Sequence, residues 1–172
     1  MQLYEKYVTE TVDEKTGRLT KIDFHIPDDF NFGFDVVDFW GKNTPDKTAL
    51  LWVGEHHEEK TFTFSDMMRL TNKTANYFRS LGIKKGDRVM LILRRHYQFW
   101  FSIVALHKIG AIVIPATDQL MKKDLVYRFN LAGVSAVVIS STGSIVDEAE
   151  KAFEQCDVKT KILVGASRDG WH

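Results

Sequence analysis

Gly86-Asp-Arg-Val-Met-Leu-Ile-Leu-Arg-Arg95 and, after a two-residue joint, Gln98-Phe-Trp-Phe-Ser-Ile-Val-Ala-Leu-His-Lys-Ile-Gly-Ala-Ile-Val-Ile-Pro-Ala-Thr-Asp-Gln-Leu120 together decide the fold. Val89 to Leu93 is an unbroken apolar run of strand length, closed off by Gly86-Asp87 in front and Arg94-Arg95 behind, which predicts a strand covered on both faces. From Tyr97 to Ile109 the residues Phe99, Trp100, Ile103, Val104 and Leu106 recur at helical spacing, and Gly110 suits the left-handed turn that ends a helix. Ala111 to Ile114 is a second apolar run. Pro115 stops it, since a proline has no amide hydrogen for the ladder. Strand, helix and strand with short joints predict a parallel crossover of right-handed sense. Ligands of open α/β sheets gather beyond the carboxyl ends of the strands, so Arg94 to His96 and Ala116 to Leu120 are the loops to watch.

The same unit repeats downstream. Lys122 to Ala132 predicts a helix with Leu125, Val126 and Phe129 turned inward and Gly133 closing it, and Ala136 to Ile139 predicts a third buried strand. Ser144 and Asp147 stand at capping-box spacing before a helix over Ile145 to Phe153. Lys161 to Val164 predicts a fourth strand. Strand starts at 89, 111, 136 and 161 recur at about 24 residues, one strand-helix unit with its turns. The fold class is α/β: about four parallel strand-helix repeats preceded by a β-hairpin and a helix.

Upstream, residues 1–34 predict an extended lead whose Phe24, Phe30, Phe32 and Phe34 pin onto a neighbouring surface. Residues 35–81 predict a short helix over Asp35 to Gly41 with Val36, Val37, Phe39 and Trp40 buried. A hairpin of Thr48 to Val53 with Lys60 to Phe64 follows, then a helix capped by Ser65 with Met67, Leu70, Ala75, Phe78 and Leu81 on one face. Residues 82–172 hold the parallel α/β unit.

Composition excludes several classes of function. Twenty-three cationic and 23 anionic side chains balance, so nothing favours a nucleic acid, and Lys84-Lys85 and Lys122-Lys123 read as solvated faces. Cys156 stands alone, which excludes an internal disulfide and fits an inert thiol in a reducing compartment. No apolar run reaches the ~18 residues of a membrane span, and the early acids Glu5, Glu10, Asp13 and Glu14 are foreign to transit peptides, so a cytoplasmic location is expected. His56-His57-Glu58-Glu59 has the right atoms for a divalent ion but reads as a solvated turn, because adjacent residues on one loop seldom converge on a metal. No metal site is expected. Ser140-Ser-Thr-Gly-Ser144 lies between a strand and a helix but lacks the Lys and the additional glycines of a phosphate-cradling Walker loop.

Read together, Phe30-Asn-Phe-Gly-Phe-Asp-Val-Val-Asp38, Thr61-Phe-Thr-Phe-Ser65, Lys85-Gly-Asp-Arg-Val-Met-Leu-Ile-Leu93, Ile114-Pro-Ala-Thr-Asp-Gln-Leu120, Lys123-Asp-Leu-Val-Tyr-Arg128 and Ser167-Arg-Asp-Gly-Trp171 resemble the medium-chain acyl-CoA synthetases. These are AMP-forming, adenylate-forming ligases. The resemblance covers about residues 30 to 171. It implies activation of a short- or medium-chain carboxylic acid by ATP to an acyl-adenylate, assisted by magnesium, and transfer of the acyl group to CoA.

It also implies that this chain is the truncated beginning of such an enzyme, with no catalytic residue of its own and no tightly bound cofactor. The family's Ser/Thr/Gly-rich ATP loop and its late catalytic Lys are not found here. By the same resemblance Gln119 matches a glutamine that contacts CoA, with Thr117 and Asp118 as secondary contacts. Ala116 and Asp118 depart from the family's Pro-Gly-Thr-Thr-Gln. A flavodoxin-like domain or a non-catalytic nucleotide- or CoA-binding module is the alternative. A sheet interrupted by truncation would leave an unpaired strand edge, so self-association is expected.

Overall fold

The computed structural model describes residues 2–172. Inside the lead, Val8–Val12 (β1) and Leu19–Phe24 (β2) pair as an antiparallel hairpin. Its turn is fixed by Asp13, whose Oδ1 accepts from the backbone N–H of Lys15 and Thr16 at 3.0 and 2.8 Å, and by Gly17 at φ 67°. The phenylalanines do not all dock as the sequence predicts. Phe30 packs edge-on to Tyr7 at 5.1 Å between centroids, while Phe24, Phe32 and Phe34 stay exposed.

The helix expected at Asp35 starts earlier, as a π-helix over Phe32–Asp38 that runs into α1 (Phe39–Asn43). Asn31 starts it. Its Oδ1 accepts from the N–H of Gly33 and Phe34, while its own N–H donates to Asp35 Oδ2 at 2.7 Å. Val37, Asp38 and Gly41 face inward, and Val36, Phe39 and Trp40 are only half-buried.

Thr48–Val53 (β3) and Glu59–Thr63 (β4) form the expected hairpin. The next helix, α2 (Phe64–Ser80), is capped by Thr63 rather than Ser65. Thr63 Oγ1 accepts from Asp66 N–H and Asp66 Oδ2 accepts from Thr63 N–H, both at 3.2 Å, a reciprocal capping box. Ser65 already lies inside the helix and shares a hydroxyl hydrogen bond with Thr63. The buried face is Met67, Thr71, Ala75 and Phe78, and Thr71 satisfies its hydroxyl on the Met67 carbonyl at 2.7 Å.

Arg88–Ile92 (β5), Ile112–Pro115 (β6), Ala136–Ser140 (β7) and Thr160–Val164 (β8) then build the predicted parallel sheet, in spatial order β6-β5-β7-β8. Side chains alternate across a strand, and β5 uses both faces. Val89, Leu91 and Leu93 point into a core shared with Ala75, Phe78, Ala105 and Leu106, the side of α2 and α3 (Gln98–Ile109). Met90 and Ile92 point into a second core with Leu125, Phe129, Ile145 and Ala149, the side of α4 (Lys122–Ala132) and α5 (Ile145–Phe153). Each fully buried large side chain contributes about 1.5–3 kcal/mol, so this strand is the most deeply anchored segment of the chain.

Two expectations change within these helices. On α3 the buried residues are Phe101, Ser102, Val104, Ala105, Leu106 and Lys108, so Val104 and Leu106 lie inward as expected, while Phe99 and Ile103 are half-buried and Trp100 is 47% exposed. At α5, Ser144 has helical dihedrals (φ −92°, ψ −2°) in place of the extended ones of a capping residue, and its side chain makes no cap hydrogen bond. Asp147 instead pairs with Arg168 at 2.8 Å. Gly110 (φ 71°) and Gly133 (φ 58°) take the left-handed closing positions predicted for them.

Candidate functional site

The chain leaves β5 toward β6 on one side and returns to β7 on the other. The loops after β5 and β7 therefore flank a topological switch, where open α/β sheets hold their ligands. Arg94 connects the floor of this crevice. Its Nη2 lies 3.4 Å from Glu55 Oε1 in the β3–β4 turn and its Nε 3.6 Å from Asp118 Oδ2 in the loop after β6. Thus the two loops singled out in the sequence do meet, through an ion pair between residues 24 positions apart. Arg95 holds the β3–β4 hairpin to the same rim by accepting the indole N–H of Trp52 on its carbonyl.

After β6, Thr117 Oγ1 accepts from Gln119 N–H at 3.3 Å and donates to Asp118 Oδ1 at 3.5 Å. Gln119 is exposed, and its side-chain amide makes no hydrogen bond among the described residues. The cap of α4 is instead formed by Met121 N–H on Asp124 Oδ2 at 3.2 Å. An amide carboxyl-terminal to a strand and unused by the fold can both donate and accept toward a bound molecule. Asp118 would repel a polyphosphate in isolation, and Arg94 beside it offsets that charge.

Across the crevice the loop after β7 brings hydroxyls together: Ser140 Oγ and Thr142 Oγ1 lie 3.1 Å apart, and Ser141 N–H donates to the Val164 carbonyl at 2.9 Å. Gly165, at φ 100°, leaves room for Ser141, whose Oγ would lie 2.8 Å from a Cβ there. Beside Arg94, Arg95 and His96, the rings of Trp52, Phe99 and Trp100 line a depression of about 320 Å³.

The His56-His57-Glu58-Glu59 turn gathers no ligand set. Glu58 Oε2 accepts from His56 N–H at 3.0 Å instead, and among the described residues no group of three or more His, Cys, Asp or Glu is placed to hold a metal ion. Cys156 is half-buried, with its thiol pKa pushed up by burial and its Sγ near the Val126 carbonyl, a disposition that keeps it protonated. No helix of the described residues is long and apolar enough to cross a membrane.

Sequence reasoning missed a buried polar cluster on the far side of α3. Lys108 Nζ donates to Asp38 Oδ1 at 2.6 Å and to Asn72 Oδ1 at 2.7 Å, with the lysine side chain 1% exposed. Burial lowers the Lys108 pKa, and the hydrogen bond and charge of Asp38 oppose that fall. The signal was present: Lys108 falls seven residues after Phe101 and four after Val104, in phase with the apolar face.

Comparison with known proteins agrees with this architecture. The family model described as AMP-binding enzyme matches residues 37–170. The mitochondrial acyl-coenzyme A synthetase ACSM1 of Mus musculus is 37% identical over 158 residues, covering 87% of this chain and 27% of the relative. Human mitochondrial ACSM3 is 32% identical over 179 residues, covering 99% and 29%. Among solved structures, acetoacetyl-CoA synthetase from Streptomyces lividans superimposes with a TM-score of 0.75 at 18% identity, covering 88% of this chain and 25% of that one. A benzoate CoA ligase from Burkholderia xenovorans LB400 gives 0.64 at 18%, covering 78% and 26%.

The chain belongs to the AMP-binding enzyme family, and the relatives it matches are acyl-coenzyme A synthetases. It spans a little over a quarter of the length of the curated relatives it matches. One expectation falls: those relatives are named as mitochondrial enzymes, which overturns the cytoplasmic reading. The absence of a leader-like composition in the first residues was too thin a basis for it.

Proposed function

We propose that the chain supplies the first part of the larger domain of an AMP-forming acid–CoA ligase that activates a short- or medium-chain carboxylic acid, in the metabolism of fatty acids. The acid's carboxylate attacks the α-phosphate of ATP and expels pyrophosphate. The CoA thiol then gives up its proton to solvent, its sulfur bonds to the acyl carbon, and AMP leaves with the electron pair of the broken bond between the acyl carbon and the phosphate oxygen. Magnesium, when bound, would draw charge from the phosphates in the first step.

Within this reaction the chain's own contribution is to hold CoA. Gln119 contacts CoA from the loop after β6, Thr117 orients that loop through the Gln119 N–H, and Asp118 is kept compatible with an anionic partner by Arg94. The observation that supports this is the family match over residues 37–170, together with the exposure of Gln119 on the loop after β6. In a full-length enzyme carrying this segment, Gln119→Ala is expected to raise the KM for CoA about tenfold, the loss of one or two hydrogen bonds. ATP–pyrophosphate exchange should stay unchanged. An unaltered KM for CoA removes the assignment.

The 172-residue chain by itself catalyses nothing and binds ATP and CoA only loosely, because no Ser/Thr/Gly-rich loop with a Lys is available to the ATP phosphates. Carboxylate-dependent ATP–pyrophosphate exchange by the chain alone would refute this. Self-association through an open sheet edge belongs to the same proposal.

A further inference from the structure

At the opposite end of the sheet, about 17 Å from the crevice by the five-residue length of β5, a cleft of about 730 Å³ opens where the chain enters that strand. Asn72, Asn76 and Arg79, spaced four and three residues apart on α2, form one wall. Lys84 and Lys85 form the turn below, and Lys108 with the exposed ring of Phe34 closes the far side. Among the described residues four cations line the cleft and no carboxylate does.

Asp38 accounts for the charge of Lys108. Among the described residues no carboxylate lies within ion-pair distance of Arg79, Lys84 or Lys85. Cations near helix carboxyl ends commonly serve the helix itself, and α2 and α3 both end here. That need is already met by other donors. The Phe78 carbonyl accepts from Ile83 and Leu81 N–H, the Arg79 carbonyl from Gly82 N–H, and the His107 carbonyl from Gly110 N–H and Asn31 Nδ2. The side chains of Arg79, Lys84 and Lys85 are left facing an open space.

We propose that this cleft binds the phosphate group of a small phosphorylated molecule. Arg79 grips two oxygens as a planar fork, Lys84 and Lys85 add point charges, Asn76 donates from its amide, and the face of Phe34 receives the uncharged portion. The site is separate from the crevice and from the CoA reading of Gln119, so either can fail without the other.

The test is a ¹⁵N–¹H NMR titration of the chain with inorganic pyrophosphate at fixed ionic strength. Saturable shifts are expected at Phe34, residues 72–86 and residues 108–110. The double variant Arg79→Ala, Lys84→Ala should weaken the fitted Kd about tenfold or more, whereas Lys159→Ala, a surface lysine on the loop before β8, should leave it unchanged. Asn76→Asp, which brings a carboxylate into the cleft without removing a cation, should weaken it comparably and keeps the test open if the double variant folds poorly. Shifts centred on Arg94 to His96 and Ser140 to Ser144, shifts spread evenly over surface lysines, or variants that bind within about twofold of the parent would each overturn the site.

Discussion

Lys108 is the residue on which the amino-terminal third depends. It reaches from α3 to Asp38 at the end of the π-helix and to Asn72 on α2, joining three elements through one ammonium group. A buried pair adds little compared with an apolar pair of the same shape, but removing one partner strands a charge in low dielectric. Lys108→Met is therefore expected to cost about 3–5 kcal/mol in urea unfolding, and Asp38→Asn added to Lys108→Met should recover a large part of it. A single Lys108→Met variant as stable as the parent would show that the cluster is not buried as described.

Its neighbour His107 gives a pH dependence of known sign. The imidazole Nδ1 is buried without a hydrogen-bond partner, and burial pulls its pKa below 6.5. Protonation is disfavoured in the fold and free in the unfolded chain, so stability is complete above pH ~6.5 and declines as pH falls below it. The carboxylates held low by hydrogen bonds, such as Asp66 on Thr63 N–H, lose their contribution only in more acidic solution. Thermal midpoints measured from pH 7 to 5 should fall for the parent and flatten in His107→Gln; equal slopes would remove His107 as the cause.

At the scale of the element, what the sequence made legible was whatever local pattern decides. The strands of the sheet carry apolar runs because both faces are covered, and α3 and α4 end on Gly110 and Gly133 with left-handed dihedrals, whereas α5 ends on Glu154 in right-handed geometry. The β1–β2 hairpin escaped because Glu10 and Thr20 interrupt any alternation and Val12, Leu19, Ile22 and Phe24 are themselves exposed, so no buried face marks it. The π-helix escaped because it exists through tertiary contact. Asn31 ties its start to the end of α3 through the His107 carbonyl at 2.8 Å, and a Cβ on Gly33 would sit 2.4 Å from Lys108 Cγ.

The candidate site divides the same way: the loops after β5 and β6 were visible as strand ends, whereas Arg94 meeting Asp118 required the sheet to place them side by side. Gly33→Ala tests the close approach. Lys108 is held at its ammonium and cannot swing aside, so the variant should lose about 1–3 kcal/mol by overpacking. Thr63→Ala, which removes the hydroxyl that caps α2, should lose about 1 kcal/mol. Retention of full stability in both would mean that neither local device is needed.

For the molecule as a whole, the two edges of the sheet are treated differently. The outer edge of β8 takes hydrogen bonds from the last residue, His172 N–H to the Lys161 carbonyl at 2.9 Å and Leu163 N–H to the His172 carbonyl at 3.0 Å. Trp171 lies over Phe153 with its indole N–H on Glu150. Among the described residues the outer edge of β6 has no strand beside it, and Ile112 there is 49% exposed. The hairpin adds a second apolar surface, since Val12 pairs with Leu19 while Ile22 and Phe24 lie along the same ribbon, all four between 44 and 67% exposed.

An open parallel edge and a contiguous apolar ribbon both favour pairing with another chain. Multi-angle light scattering of the 19.8 kDa chain should therefore give a mass that rises with concentration. Ile22→Lys with Phe24→Lys should lower that rise if the ribbon is the contact, because two charges would have to be desolvated on docking. Ile112→Lys should lower it if the β6 edge is the contact, because a lysine on an edge strand blocks edge-to-edge pairing. A mass that stays at one chain across the accessible range, in the parent itself, would mean that both surfaces are tolerated by water and that the edge carries no tendency to associate.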